Sequence, residues 1–550
     1  MTSPTTSAVK YPGGVLMGKP LDPLEAVRNQ LDNTLFVEAG AGTGKTFALV
    51  ERIYSLVVSG KAQINEMAAI TFTELSASEL KDRIRTRLYG ASKDPSLDEV
   101  QRERCRSQLL QVEQAAICTL HSFARLIIGS YPIQAGLPIA SEILEEHETQ
   151  NDLAQSWIDC CKEFYSDTNK TEDQLNIVRD CIYLGLRIEE FYRLAEYLRY
   201  NWDLILGIGT STQSTSLNPR VDRSTFVRIS DQEIFTLLQQ ISVDLDGCLT
   251  LASQVNSNES DTMCRHLDVL GELNQRIKLF LASPTRREAL ALLAHGSFGQ
   301  STSTKGNQKV WDKEVLKQIR EKLSEIKDRV EKTLQVIGEQ SLAFIIDSIS
   351  AFTLEQSDKR MRLGTLDFHD LLVIATRLLE EREIRIEISG KWKHIFIDEF
   401  QDTDPLQVRL ALQLGQEDNS NSQNSIAPGL FEHVAIDGNP PNEPITLTNG
   451  KLFFVGDPKQ SIYRFRRADI RAYSTLKELL EKSGQCEKVD LTVNRRSVPN
   501  IIEWVNLVCR ELFAKGDPSE QAPYVDLVSN LNVASPEESV DRLLRISNKK

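Results

Sequence analysis

Leu35 to Thr46, LFVEAGAGTGKT, is the stretch whose residue types and spacing say most about chemistry. An apolar run breaks into a glycine-rich turn that closes on Gly44-Lys45-Thr46. This is the pattern of a phosphate-binding loop, in which a short strand leads to a turn whose backbone N–H groups face phosphate oxygens. Ala39, Gly40, Ala41, Gly42, Thr43, Gly44, Lys45 and Thr46 form the expected cradle, with Ala39 in place of the usual first glycine. Lys45 is placed to reach the β- and γ-phosphates of ATP. Thr46 is placed to offer its hydroxyl to Mg²⁺ at the N-terminus of the helix that follows. Taken alone, the stretch also allows an ordinary strand-to-helix turn.

Two further stretches supply what such a loop needs. His394-Ile-Phe-Ile runs into DEFQDTD (398–404), an apolar strand ending in carboxylates. Asp398 sits where a carboxylate holds the Mg²⁺ shell, and Glu399 where a general base orients the attacking water. A solvated acidic loop is the plainer alternative. In GDPKQSIYRFRRADI (456–470), Gln460 follows a strand that should lie beside the first two motifs, where its amide would sense a γ-phosphate. Here Tyr463 and Phe465 interleave with Arg464, Arg466 and Arg467. From Pro458 to Arg471 five Lys/Arg face one acid, a local excess of +4 in a chain of −14. Aromatics that stack bases beside arginines that contact phosphates make a single-strand platform. A charged helix face with two core aromatics is the alternative.

These residues are far apart, so the elements must gather them. LFVEA, AAITFT (68–73) and AAICTLHSF (115–123) alternate with helical stretches, an α/β pattern around a parallel sheet. From about Ser130 to Arg360 the strand signals vanish. In LRIEEFYRLAEYLR, Ile188, Phe191, Ala195 and Leu198 fall on one helical face. Val315, Ile319, Leu323, Ile326, Val330, Leu334 and Ile337 form one seam of a long helix, read as packing within one chain rather than a dimerising coiled coil. Polar stretches at 208–218, 297–308 and 415–429 read as loops. Strands return at HIFIDE (394–399) and LFFVGD (452–457). The expected organisation is a tail at 1–20, an α/β lobe at 21–135 resuming at 361–490, a helical insertion at 136–360, and the start of a further lobe at 491–550.

At 550 residues, 41% hydrophobic and 26% charged, the composition is that of a soluble globular protein. No apolar run reaches the length of a membrane span, and the N-terminus lacks the apolar core of a signal peptide. Nine cysteines without C-x-x-C spacing read as thiols in a reducing cytoplasm, not as a metal or disulfide framework. The net charge of −14 argues against coating by nucleic acid but leaves room for a local basic groove.

The ordered set resembles the UvrD/Rep group of superfamily 1 DNA helicases, and most closely its RecB/AddA branch. It comprises AGAGTGKT (39–46), ITFTELSASELKDRI (70–84), TLHSF (119–123), LDFHDLL (366–372), IDEFQDTDP (397–405), GDPKQSIYRFRRADI (456–470) and LTVNRRS (491–497). The resemblance implies a RecA-like P-loop NTPase lobe with a parallel sheet, interrupted by a large, mostly helical insertion, and the start of a second RecA-like lobe. It implies ATP and Mg²⁺ as cofactors, 3′-to-5′ movement on single-stranded DNA, and a role in recombinational repair or processing of DNA ends. By the same resemblance, Thr71, Phe72, Thr73, Thr119 and His121 contact the DNA strand. Phe465 stacks a base, with Tyr463 nearby and Arg466 on a phosphate. Arg496 points toward the γ-phosphate to stabilise transition-state charge. A RecC- or AddB-like partner protein is a further implication.

The chain departs from the family pattern in three places. Pro23 stands where a glutamine usually reads adenine, and Arg495 where an aromatic usually covers it. After Ser497 only 53 residues follow, fewer than a second lobe needs, so this chain alone is expected to bind nucleotide, hydrolyse it slowly and leave duplex intact. Two rivals remain: a non-motor module that uses nucleotide as a switch for binding DNA or a partner, and a nucleotide phosphatase without a DNA role.

Overall fold

A computed structural model describes residues 23–166, 172–207, 229–254, 261–295, 298, 306, 311–417, 446–463, 467–468, 470–514 and 524–530. The expected tail at 1–20, the loop at 208–218, most of the loops at 297–308 and 415–429, and Arg464, Phe465 and Arg466 lie outside the described residues.

The described strands are β1 (Leu35–Ala39), β2 (Met67–Thr71), β3 (Ala116–Thr119), β4 (Glu142–Ile143), β5 (Thr365–Leu366), β6 (His394–Ile397), β7 (Leu452–Gly456), β8 (Glu487–Leu491), β9 (Val493–Asn494) and β10 (Val528–Ser529). Six of them form one sheet in the order β3-β2-β6-β7-β1-β8, and every neighbouring pair is parallel. This is the RecA-like lobe. Its strands read as continuous apolar runs because both faces are covered. Leu35 and Val37 pack with Leu49, Ile53 and Leu56 of the helix Lys45–Ser59 on one face. Phe36, one residue out of phase, turns to Phe400, Phe454 and Tyr473, with ring centroids 5.1–5.6 Å away.

The chain divides into two compact units, one of residues 1–139 with 370–550 and the other of residues 140–369. Among its described residues, the second unit has helices and, as its only strands, the short parallel pair β4 and β5. Its longest element, Lys313–Leu363, runs for 51 residues. Ile319, Leu323, Ile326, Val330 and Ile337 of its expected seam are buried, against residues of Asp231–Ser253 and Thr262–Leu281. On Ile188–Arg199, Phe191 and Ala195 are buried, but Ile188 is 55% exposed. It is the first helical residue, before the buried stripe begins.

Two expected strands are shorter than their apolar patterns. β2 ends at Thr71 and β3 at Thr119, because Thr73 and Thr119 act as N-caps for the helices Glu74–Ser92 and Leu120–Ser130. Each threonine side chain accepts a hydrogen bond from the backbone N–H three residues on, Ser76 and Ser122 respectively. No helix among the described residues is long and apolar enough to cross a membrane.

Candidate functional site

In a parallel sheet all strands end on the same edge, where ligands gather. Here that edge presents, in spatial order, Thr119–His121 after β3, Thr71–Thr73 after β2, Asp398 and Glu399 after β6, Asp457–Gln460 after β7 and Ala39–Thr46 from β1. Beyond β8 follows the segment to Arg496. Thr71–Thr73, Thr119 and His121 therefore lie toward one end of the edge and the phosphate loop toward the other, with Asp398, Glu399 and the turn that leads to Tyr463 between them. Three strand spacings, about 14 Å, separate β1 from β2.

The phosphate-loop glycines are used where no other residue fits. Gly42 has φ 74° and Gly44 φ 101°, both left-handed. A Cβ on Gly42 would lie 2.6 Å from Asn494 Nδ2 and 2.9 Å from the Cβ of Arg496. The close approach is bonded: Asn494 Nδ2 donates to Ala41 O at 2.6 Å, and Arg495 N donates to Gly42 O at 2.9 Å. Asn494 Oδ1 accepts from the N–H groups of Arg496 and Ser497 at 2.9 and 2.8 Å. Arg496 is thus placed beside the phosphate loop, and Arg495 lies over the ring of Phe47, 5.6 Å from its centroid. Inside the loop, Thr43 Oγ1 donates to Gly40 O at 2.8 Å.

Lys45 Nζ meets Glu399 Oε2 at 2.5 Å, joining the helix after β1 to the turn after β6. Glu399 holds a left-handed backbone at φ 51°, strain of about 1–3 kcal/mol for a non-glycine residue that the surrounding structure must offset. Beside it, burial pushes the Asp398 carboxyl up to about 6, the Glu399 charge adds to the rise, and Lys45 opposes it. The Asp398 carboxylate also accepts from the Glu399 N–H at 3.0 Å. Burial, again helped by Glu399, raises Asp402 to about 6. Asp398 and the Thr46 hydroxyl are hard oxygen donors of the kind Mg²⁺ takes. No cluster of three or more His, Cys, Asp or Glu stands among the described residues as a ready metal cage. One or two protein oxygens, completed by phosphate and water, is the usual Mg²⁺ arrangement.

After β7, Asp457 organises the turn. Its carboxylate accepts from Gln460 Nε2 at 2.6 Å and pairs with Lys459 Nζ at 3.0 Å. The Gln460 amide therefore faces Asp457 here. Three residues on, Tyr463 packs against Phe72, with centroids 4.8 Å apart and planes tilted by 34°.

The remaining candidate DNA residues are engaged locally. Thr71 is buried and donates to Thr73 O at 3.1 Å, and Thr119 bonds Glu74 Oε1 at 2.8 Å besides capping its helix. Thr73 is exposed, and His121 is half-buried in the first turn of Leu120–Ser130. Phe465 and Arg466 lie outside the described residues. Motif reasoning misses Asp457, Asn494 and Gln401. A polar residue on a strand-ending turn flanked by two motif residues is the available signal, and only the strand order shows what each one bridges.

The family model described as UvrD/REP helicase N-terminal domain matches residues 22–481. Among curated proteins, the chain is 24% identical over 536 residues to an ATP-dependent helicase/nuclease subunit from Syntrophomonas wolfei subsp. wolfei, a match that takes in 89% of this chain and 38% of that protein. The proteins of the same name from Clostridium novyi and Listeria welshimeri serovar 6b are each 25% identical, over 88% of this chain and 38% of theirs. The chain thus spans about two fifths of the length of these relatives.

Proposed function

The chain belongs to the UvrD/REP helicase N-terminal domain family, and from that premise we propose that it is the ATP-binding and ATP-hydrolysing part of a 3′-to-5′ DNA helicase whose turnover is stimulated by single-stranded DNA. The observation that carries the reading is the 2.5 Å contact between Lys45 and Glu399, on a sheet edge that also presents Phe72 and Tyr463. Processing of DNA ends in recombinational repair, in the cytoplasm and with a RecC- or AddB-like partner, is the setting that the resemblance favours.

The residues divide the work. The loop N–H groups from Gly40 to Thr46 bind phosphate oxygens, and Lys45 leaves Glu399 to neutralise the β- and γ-phosphates. Glu399, released, orients a water and takes its proton as the water attacks the γ-phosphorus, while the bond from that phosphorus to the β–γ bridging oxygen breaks and ADP leaves. Asp398 and Thr46 would hold Mg²⁺, which when bound neutralises phosphate charge. Arg496, kept beside the loop by Asn494, stabilises charge on the transferring group, and Gln460 senses that group from β7.

The test is ATP hydrolysis by the purified chain, with and without single-stranded DNA, beside Lys45→Ala and Glu399→Gln. DNA-stimulated hydrolysis that both substitutions abolish is the expected result. Nucleotide binding that changes DNA affinity without hydrolysis would favour the switch module instead. Hydrolysis indifferent to DNA would leave a nucleotide phosphatase.

A further inference from the structure

The amide of Gln401 has no part in the roles above, yet it is almost fully enclosed, at 2% exposure, between the turns that follow β6 and β7. Nε2 donates to Glu399 Oε2 at 2.9 Å and to Asp402 Oδ2 at 3.1 Å. Oε1 accepts from Asp457 N at 2.8 Å, and the main-chain oxygen accepts from Ser461 Oγ at 3.0 Å. Only a carboxamide does all of this at once, since it offers two N–H groups to two carboxylates and an oxygen to a backbone donor. Gly456 makes room for it: a Cβ there would lie 2.8 Å from Gln401 Oε1.

One buried residue therefore ties the Glu399 carboxylate to the stretch from Asp457 through Ser461, by its side chain to Asp457 N and by its main-chain oxygen to Ser461 Oγ. Two residues later that stretch delivers Tyr463 onto Phe72. We infer that Gln401 is a positioning residue that links the orientation of the Glu399 carboxylate to the placement of the Asp457–Tyr463 segment, so that single-stranded DNA seated at Phe72 and Tyr463 alters turnover at the nucleotide. The inference rests on the proposed DNA-stimulated ATPase. Movement of the aromatic pair would shift Ser461 and the Asp457 N–H. The Gln401 amide would follow them, and its N–H would re-aim Glu399.

Gln401→Glu keeps the size and the accepting oxygen but removes both N–H groups. In steady-state hydrolysis with saturating single-stranded DNA, its kcat should fall about tenfold or more, with KM for ATP and the DNA Kd within about threefold of wild type. The ratio of stimulated to unstimulated rate should drop toward one. Gly456→Ala keeps the Gln401 carboxamide but crowds its oxygen, so the amide has to shift, and it should give the same split between kcat and KM. A substitution that only loosened the fold would lower the melting temperature without removing the stimulation ratio. Wild-type stimulation in either folded variant overturns the inference and leaves the ATPase reading intact. If Gln401→Glu does not fold, Gly456→Ala decides alone. A wild-type chain whose hydrolysis ignores DNA overturns both.

Discussion

Lys45 and Glu399 are 354 positions apart in the chain and 2.5 Å apart in space. In the proposed mechanism the contact occupies the ammonium that would meet phosphate and the carboxylate that would orient water. Nucleotide entry therefore has to exchange one ion pair for two new contacts. The Lys45 side chain is 13% exposed and the Glu399 side chain 35%, so the pair is partly buried, and the new contacts to phosphate and water must offset its loss.

Lys45→Ala removes the ammonium from phosphate without touching the core. Hydrolysis should fall by about a hundredfold or more, with unfolding free energy within about 1 kcal/mol of wild type. A rate assay paired with a thermal or denaturant melt checks both halves. Retained hydrolysis in a folded Lys45→Ala chain would remove Lys45 from the catalytic set.

Acid should act through Asp398, whose carboxyl is lifted from 3.8 to about 6 chiefly by burial. The sign follows from which state holds the proton. Between those two values the nucleotide-free fold keeps a proton that the unfolded chain has released. This group's contribution to stability is therefore full below the lower value and lost as pH rises through the upper one. In its proposed role Asp398 meets Mg²⁺ as the carboxylate, so the apparent affinity for Mg²⁺–nucleotide should weaken about tenfold per pH unit below about 6. A binding titration across that range measures it, and a flat profile counts against Asp398 as the metal residue.

The sheet was legible because strands covered on both faces cannot hide: LFVEA, HIFI and LFFVG are apolar at nearly every position. The strand ends were less so. Phe72 and Leu120-His121-Ser122-Phe123 continue apolar patterns, yet Thr73 and Thr119 cap helices there, a local hydrogen bond outweighing strand propensity. The roles of Gln401 and Asn494 were not legible at all. Each depends on which segments are neighbours, β6 beside β7 in one case and the phosphate loop beside Arg496 in the other. Periodicity carries no information about strand order.

Asn494→Ala tests the second of those arrangements. The substitution deletes the donor to Ala41 O and the acceptor for the Arg496 and Ser497 N–H groups, all partly or fully buried. Stability should drop by about 1–3 kcal/mol. With Arg496 no longer anchored, kcat should fall about tenfold or more while nucleotide affinity changes little, because the loop N–H groups and Lys45 remain. A loss confined to nucleotide affinity would show that Asn494 serves the cradle and not Arg496.

Phe72→Ala addresses the other end of the edge. The Phe72 ring is half-buried and packs on Tyr463 at 4.8 Å, so the pair forms an aromatic step at the end of β2. Base–aromatic stacking is worth about 1–3 kcal/mol per base, so loss of the ring should weaken single-strand binding about tenfold or more. Nucleotide affinity should hold, since the phosphate loop lies three strands away. Wild-type binding should itself weaken as salt rises, because phosphate contacts release counterions. Fluorescence anisotropy with a labelled oligonucleotide at two salt concentrations separates the effects: the substitution should lower affinity at both and leave the salt slope unchanged, since a ring carries no charge. A changed slope with unchanged affinity at low salt would mean that Phe72 acts by placing a cation and not by stacking.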